Sequence, residues 1–145
     1  MRQIALIACC KEKLYAPGEM YTGELFKRQL AYARQVLKLA DSDIFILSAR
    51  YELVNVATVI VAYDLSLRDM TAKGQEQWAR RVAESVGNLK PTVKRVAVMA
   101  GQTYKQFLLN LLHQRKLLIQ EVHPNGLGYG QQVQWYTRQV QSEAK

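Results

Sequence analysis

Val93-Lys94-Arg95-Val96-Ala97-Val98-Met99-Ala100-Gly101-Gln102-Thr103-Tyr104-Lys105-Gln106-Phe107-Leu108-Leu109-Asn110-Leu111-Leu112-His113-Gln114 joins a β-rich run to a helical pattern through one glycine. The valine-rich run predicts a strand over 93–100 that ends at Gly101, and the spacing beyond it predicts a helix from Thr103 to Gln114. The same alternation fills the rest of the chain. Ile4 to Ala8 reads as a buried strand, and Leu25, Phe26, Leu30, Ala33, Val36, Leu37 and Ala40 give helical spacing over Tyr21 to Ala40. Asp41-Ser42-Asp43 breaks that pattern before a second strand, Ile44 to Leu47. Val54 to Val61 is β-prone and reads either as a short strand or as a packed loop. A helix over Thr71 to Val86 is closed by Gly87, Asn88 and Pro91. A fourth strand over Lys116 to Val122 and a final helix over Gln131 to Gln141 complete the series. Strands separated by helices of this length predict a three-layer α/β/α sandwich with a four-stranded parallel sheet.

The chain has 145 residues, enough for one domain with one core, and 49% of them are hydrophobic, which excludes a disordered tail. Twenty Lys and Arg against twelve Asp and Glu leave a net charge of +8, a balance that suits a polyanionic partner such as nucleic acid. Cys9 and Cys10 are adjacent and cannot readily meet disulfide geometry, and only His113 and His123 could join them, so neither a stapled scaffold nor a four-ligand zinc site is expected. No stretch reaches the roughly eighteen apolar residues of a membrane span. The apolar N-terminal run meets Lys11 and Lys13 too early for a signal peptide, so a cytoplasmic protein, monomeric and without metal or cofactor, is expected.

In open α/β sheets, ligands bind outside the carboxyl ends of the strands. Four loops should meet there: Cys9 to Tyr21, Ser48 to Leu53, Gly101 to Tyr104, and His123 to Gly130. The first mixes Lys11 and Lys13 with Tyr15 and Tyr21, cations for phosphate and rings for stacking a base, although an exposed loop with solvated charges would look the same. The second contributes Tyr51 and the third Tyr104. The fourth, His123-Pro124-Asn125-Gly126-Leu127-Gly128-Tyr129-Gly130, puts an imidazole at a strand end among glycines that allow close backbone approach. His113 reads as structural or surface, and Trp78 and Trp135 as core. No glycine-rich dinucleotide or Walker pattern is present. Asp64, after Tyr63, is either a turn cap or a carboxylate able to stabilise a sugar cation; Glu12, Glu19 and Glu24 compete for that role.

The strings ACCKEKLY (residues 8–15), MYTGELF (20–26), ILSARYELV (46–54), AYDLSL (62–67), VMAGQTYKQFL (98–108) and GLGYGQQVQWY (126–136) resemble, in order, the motifs of a small prokaryotic domain family. One departure is Glu52, where the family's pattern has glycine. Val93 to Tyr104 followed by His123-Pro124-Asn125 is similar to the last strands of uracil-DNA glycosylases, whose His-Pro-Ser motif follows the final strand. That resemblance implies the fold of those enzymes and a base-contacting role for His123, with Asn125 in place of the serine. Residues 8–15 are also similar to the glycosylase-like domain of archaeosine-type tRNA-modifying proteins, matching at Cys9, Lys13 and Tyr15. Antiviral glycosylases that remove modified bases from phage DNA look similar as well.

Together these readings predict a monofunctional DNA N-glycosylase that flips out a target nucleotide, in double-stranded or single-stranded DNA, and excises a modified base. Asp64 and His123 are the expected catalytic residues. Lys11, Lys13, Tyr15, Tyr21, Tyr51, Tyr104 and Asn125 are the expected nucleic-acid and base contacts. The alternatives are an N-glycosidase or transferase for free nucleotides or nucleosides, and a nucleic-acid-binding module without chemistry.

Overall fold

The computed structural model describes residues 2–8, 24–58 and 67–144. Its strands are β1 (Arg2–Ile7), β2 (Ile44–Ser48), β3 (Glu52–Asn55), β4 (Val93–Met99) and β5 (Leu118–Glu121). Its helices are α1 (Glu24–Gln35), α2 (Ala72–Gly87), α3 (Gln102–Gln114) and α4 (Tyr129–Ala144).

Side chains alternate across a strand, so an unbroken apolar run is stable only where both sheet faces are covered. β1 is such a run. Ile4 and Leu6 enter one apolar cluster and Ala5 and Ile7 the other, and all four are fully buried. β2 and β4 divide in the same way: Phe45, Leu47, Val96 and Val98 on one face, Ile44, Ile46, Ala97 and Met99 on the other. Over the first face lie α2, through Trp78, Val82 and Val86, and α3, through Leu108 and Leu112. Over the second lie α1, through Leu25, Phe26, Tyr32 and Ala33, and α4, through Tyr136 and its partly buried neighbours Val133 and Trp135. Each fully buried large apolar side chain contributes roughly 1.5–3 kcal/mol, so the two clusters clamp the sheet from both sides. The layering is therefore helix, sheet, helix.

The sequence predicts four strands, all parallel, but among the described residues the sheet has five and is mixed, in the order β3-β2-β1-β4-β5. β1 pairs parallel with β2 and β4, and β4 pairs parallel with β5. β3 lies antiparallel to β2, with Ser48 opposite Glu52 and Phe45 opposite Asn55. The start of the Val54–Val61 run is thus strand, which begins earlier, at Glu52, and ends at Asn55; residues 59–61 of the run lie outside the described residues. The turn that allows this carries no glycine. Glu52 takes the left-handed conformation itself, at φ 66°, while the Ser48 hydroxyl accepts the Tyr51 N–H at 2.9 Å. That conformation favours glycine, which gives a backbone reason for the glycine in the motif that Glu52 departs from.

Helix ends shift for similar local reasons. α1 stops at Gln35 rather than Ala40, because Lys38 turns left-handed at φ 60° and the Leu39 N–H returns to the Ala33 carbonyl at 3.1 Å. α2 starts after Thr71, whose hydroxyl caps the Gly74 N–H at 3.0 Å. α4 begins at Tyr129, two positions before the expected Gln131.

The chain leaves β1 toward β2 on one side and later returns to β4 on the other. α1 and α2 accordingly cover opposite faces. This reversal makes the carboxyl ends of β1 and β4 the switch point where an open sheet parts to leave a crevice.

Candidate functional site

β4 delivers Ala100 and Gly101 beyond the sheet, and Gly101 caps α3 without any side-chain hydrogen bond. β5 delivers Val122 and His123 beside them. The chain then turns through Pro124 and Asn125 to Gly126, which sits at φ 87° with open space where a Cβ would project. Only glycine adopts that conformation freely, so the turn folds back sharply enough to face Gly101. α4 closes the fourth side: the Gln132 side-chain amide donates to the Leu127 carbonyl at 2.9 Å, and the Gly128 N–H donates to the Gln131 side chain at 2.8 Å. Between these walls is a cleft of about 360 Å³, lined by Gly101, Gln102, Lys105, His123, Asn125 and Gln132 among others. Such a volume lies within the roughly 300–1,000 Å³ usual for small-molecule sites.

His123 is only 6% exposed, and its Nδ1 lies 2.5 Å from the hydroxyl of the fully buried Tyr136. Burial and then the positive charge of Lys105 hold the imidazole below its ordinary range, against an opposing pull from Glu121. The ring is therefore neutral at pH 7, and with Nδ1 occupied, Nε2 is the nitrogen left to meet a ligand. Lys105, 4% exposed, extends its ammonium to Glu121 Oε1 and Asn125 Oδ1, both at 2.9 Å. The cleft thus joins a fixed neutral imidazole, a buried cation and the start of α3, a set suited to an oxygen-rich or negatively charged group.

Of the residues expected from sequence, the structure brings His123 and Asn125 into this cleft. Tyr104 goes elsewhere. Its ring is 6% exposed and meets Trp78 edge-on at 5.5 Å, within the core cluster and not among the residues lining this cleft. Tyr51 also lies outside this cleft's lining: it packs partly buried against the α2–α3 cluster, with the Arg50 guanidinium 5.6 Å from its ring. Glu24 opens α1, where its charge suits the positive end of the helix dipole, and it pairs with Arg28 at 2.8 Å. Asp64, Lys11, Lys13, Tyr15, Tyr21, Glu12 and Glu19 lie outside the described residues. His113 is exposed, and Trp78 is core.

Sequence reasoning missed Lys105, Tyr136, Glu121 and Gln132. Lys105 follows Tyr104 inside a quoted motif, but a helical lysine ordinarily reads as solvated. Tyr136 ends the last motif one position after Trp135, and only the register of α4 shows that it points inward beneath His123. Among the described residues, no three His, Cys, Asp or Glu side chains gather as metal ligands, and no helix is long and apolar enough to cross a membrane.

The chain belongs to a family of unknown function (DUF6884), whose pattern matches residues 4–138. No curated protein and no solved structure matches it.

Proposed function

We propose that this domain hydrolyses the N-glycosidic bond of a nucleotide flipped out of DNA, with His123 contacting the departing base. One observation carries the reading: a buried, neutral imidazole pinned through Nδ1 by Tyr136 and set at the end of the last parallel strand. If the phenol donates to Nδ1, the ring proton sits on Nε2 and can be donated to a carbonyl oxygen of the base. As the bond breaks, negative charge grows on that oxygen, so the hydrogen bond strengthens in the transition state more than in the ground state. A preorganised neutral donor also needs no reorientation when the charge appears.

The position of His123 agrees with the resemblance to uracil-DNA glycosylases, and the layered α/β/α architecture is compatible with their fold. The opposite charge develops on the sugar and calls for a carboxylate, the role proposed for Asp64. Lys11 and Lys13 are proposed to hold phosphates beside the extruded nucleotide, whose unstacking costs a few kcal/mol, least at a weakened pair. A net charge of +8 supports a long polyanion over a free nucleotide as partner.

The test is incubation with DNA carrying a broad panel of modified bases, followed by heating in alkali. Strand breaks at the modified positions are expected from the wild type, and about a hundredfold fewer from Asp64→Asn, the scale of losing one electrostatic or general-base contribution. Intact strands across the whole panel overturn the proposal. Base release from mononucleotides, with binding to long DNA that salt leaves unchanged, would favour the free-nucleotide alternative.

A further inference from the structure

Lys105 is hard to explain as a stabilising residue. An ammonium that is 4% exposed has lost most of its hydration, and its carboxylate partner Glu121 is 42% exposed and could be solvated without it. A buried ion pair is weak support for stability, since an apolar side chain of similar length would fill the same space without the desolvation cost. The ammonium has three protons to give. Glu121 Oε1 and Asn125 Oδ1 take two, and no acceptor among the described residues takes the third. Lys105, Asn125 and His123 line the same cleft. The lysine and the imidazole thus border one space.

We infer that Lys105 is a specificity-determining residue that selects, among ligands of similar size, those presenting an anionic oxygen to the cleft. The ligand is a departing base only on the glycosidase reading, on which this inference rests to that extent, while the oxygen preference follows from the cleft alone. Charge-assisted hydrogen bonds are shorter and about twice as strong as neutral ones, and in a site shielded from water the preference is larger. Glu121 neutralises part of the Lys105 charge, so removing that carboxylate leaves more of it for the ligand. Both signs can be tested.

Isothermal titration at neutral pH with barbiturate, a planar pyrimidine anion, and with cytosine, a neutral pyrimidine of similar size, provides the measurement. Expected are at least about tenfold tighter binding of barbiturate than of cytosine, loss of that gap in Lys105→Met, and a wider gap in Glu121→Gln. Circular dichroism checks that each variant is folded. If Lys105→Met does not fold, Glu121→Gln decides alone, because a merely structural bridge would make it bind barbiturate no better than the wild type. Wild-type protein that binds no barbiturate, or binds it no better than cytosine, overturns the inference, as does a gap unchanged by Lys105→Met. Lys105-dependent barbiturate binding without base release from any DNA overturns the glycosidase reading and leaves this inference standing. Base release with no oxygen preference does the reverse.

Discussion

His123 and Tyr136 form the most constrained pair in the cleft, and each gives a measurable consequence. Removing the phenol oxygen in Tyr136→Phe leaves a buried imidazole nitrogen without that partner. About 1–3 kcal/mol of stability should be lost, together with much of the activity, because the ring is no longer held in one orientation. Equilibrium urea unfolding measures the first, and a loss below about 0.5 kcal/mol would mean that the hydroxyl is not satisfying a buried group. The pH dependence follows from the depressed pKa. The folded chain holds His123 below the ordinary imidazole value of 6.5, so just under that value the unfolded chain binds a proton that the folded chain does not. Stability is therefore intact above 6.5 and falls as pH drops through it toward the lower folded value. His123→Gln should flatten that fall, and identical slopes in the two proteins would remove burial of a neutral His123 as its cause. His123 itself was legible in the sequence, because a strand end followed by Pro-Asn-Gly announces a loop at the binding edge. Its partners were not: Lys105, Glu121 and Tyr136 come from three different elements, and only tertiary packing brings them together.

At the scale of the elements, the hairpin β2–β3 and the helix above it fix one wall of the sheet. Trp78 of α2 is 1% exposed and donates its indole N–H to the Ser48 carbonyl at 2.8 Å, tying the helix to the last residue of β2. Trp78→Phe keeps most of the apolar volume and removes that hydrogen bond. A loss of about 0.5–1.5 kcal/mol in chemical denaturation is expected, and none at all would show that the bond is not formed. Glu52 offers a cleaner comparison. Glu52→Ala and Glu52→Gly both lose the ion pair with Arg81, but only glycine escapes the cost of φ 66°. The glycine variant should therefore be the more stable of the two by roughly 1 kcal/mol; equal stabilities would mean that the turn relaxes out of the left-handed region. The same residue shows why β3 was hard to place from sequence. Hairpins are recognised by Asn-Gly or Gly-rich turns, and here Arg50-Tyr51-Glu52 does the turning. β1, β2 and β4 were legible because burial on both faces demands unbroken apolar runs. The polar, half-exposed β5 was found only approximately.

The whole molecule places a small polar cleft beyond the carboxyl ends of β4 and β5, next to the switch point of the sheet, within a chain of net charge +8. That charge should act collectively on a polyanion. DNA affinity should fall steeply with salt, and replacing Lys11 and Lys13 with Ala should reduce the log–log slope by about two, at roughly 0.9 per phosphate contact. A slope unchanged by the double substitution would return both lysines to a solvated loop. The central claim is that the cleft around His123 releases a base from DNA. It is tested most directly by incubating duplex DNA of defined modified-base content with wild-type protein and His123→Gln, then quantifying the free base in solution by chromatography and mass spectrometry. Expected is a free, unphosphorylated base from the wild type, with the sugar–phosphate strand left unbroken until alkali is added, and release about a hundredfold slower from His123→Gln. Absence of free base from every modified DNA, or release at the same rate from both proteins, would contradict it.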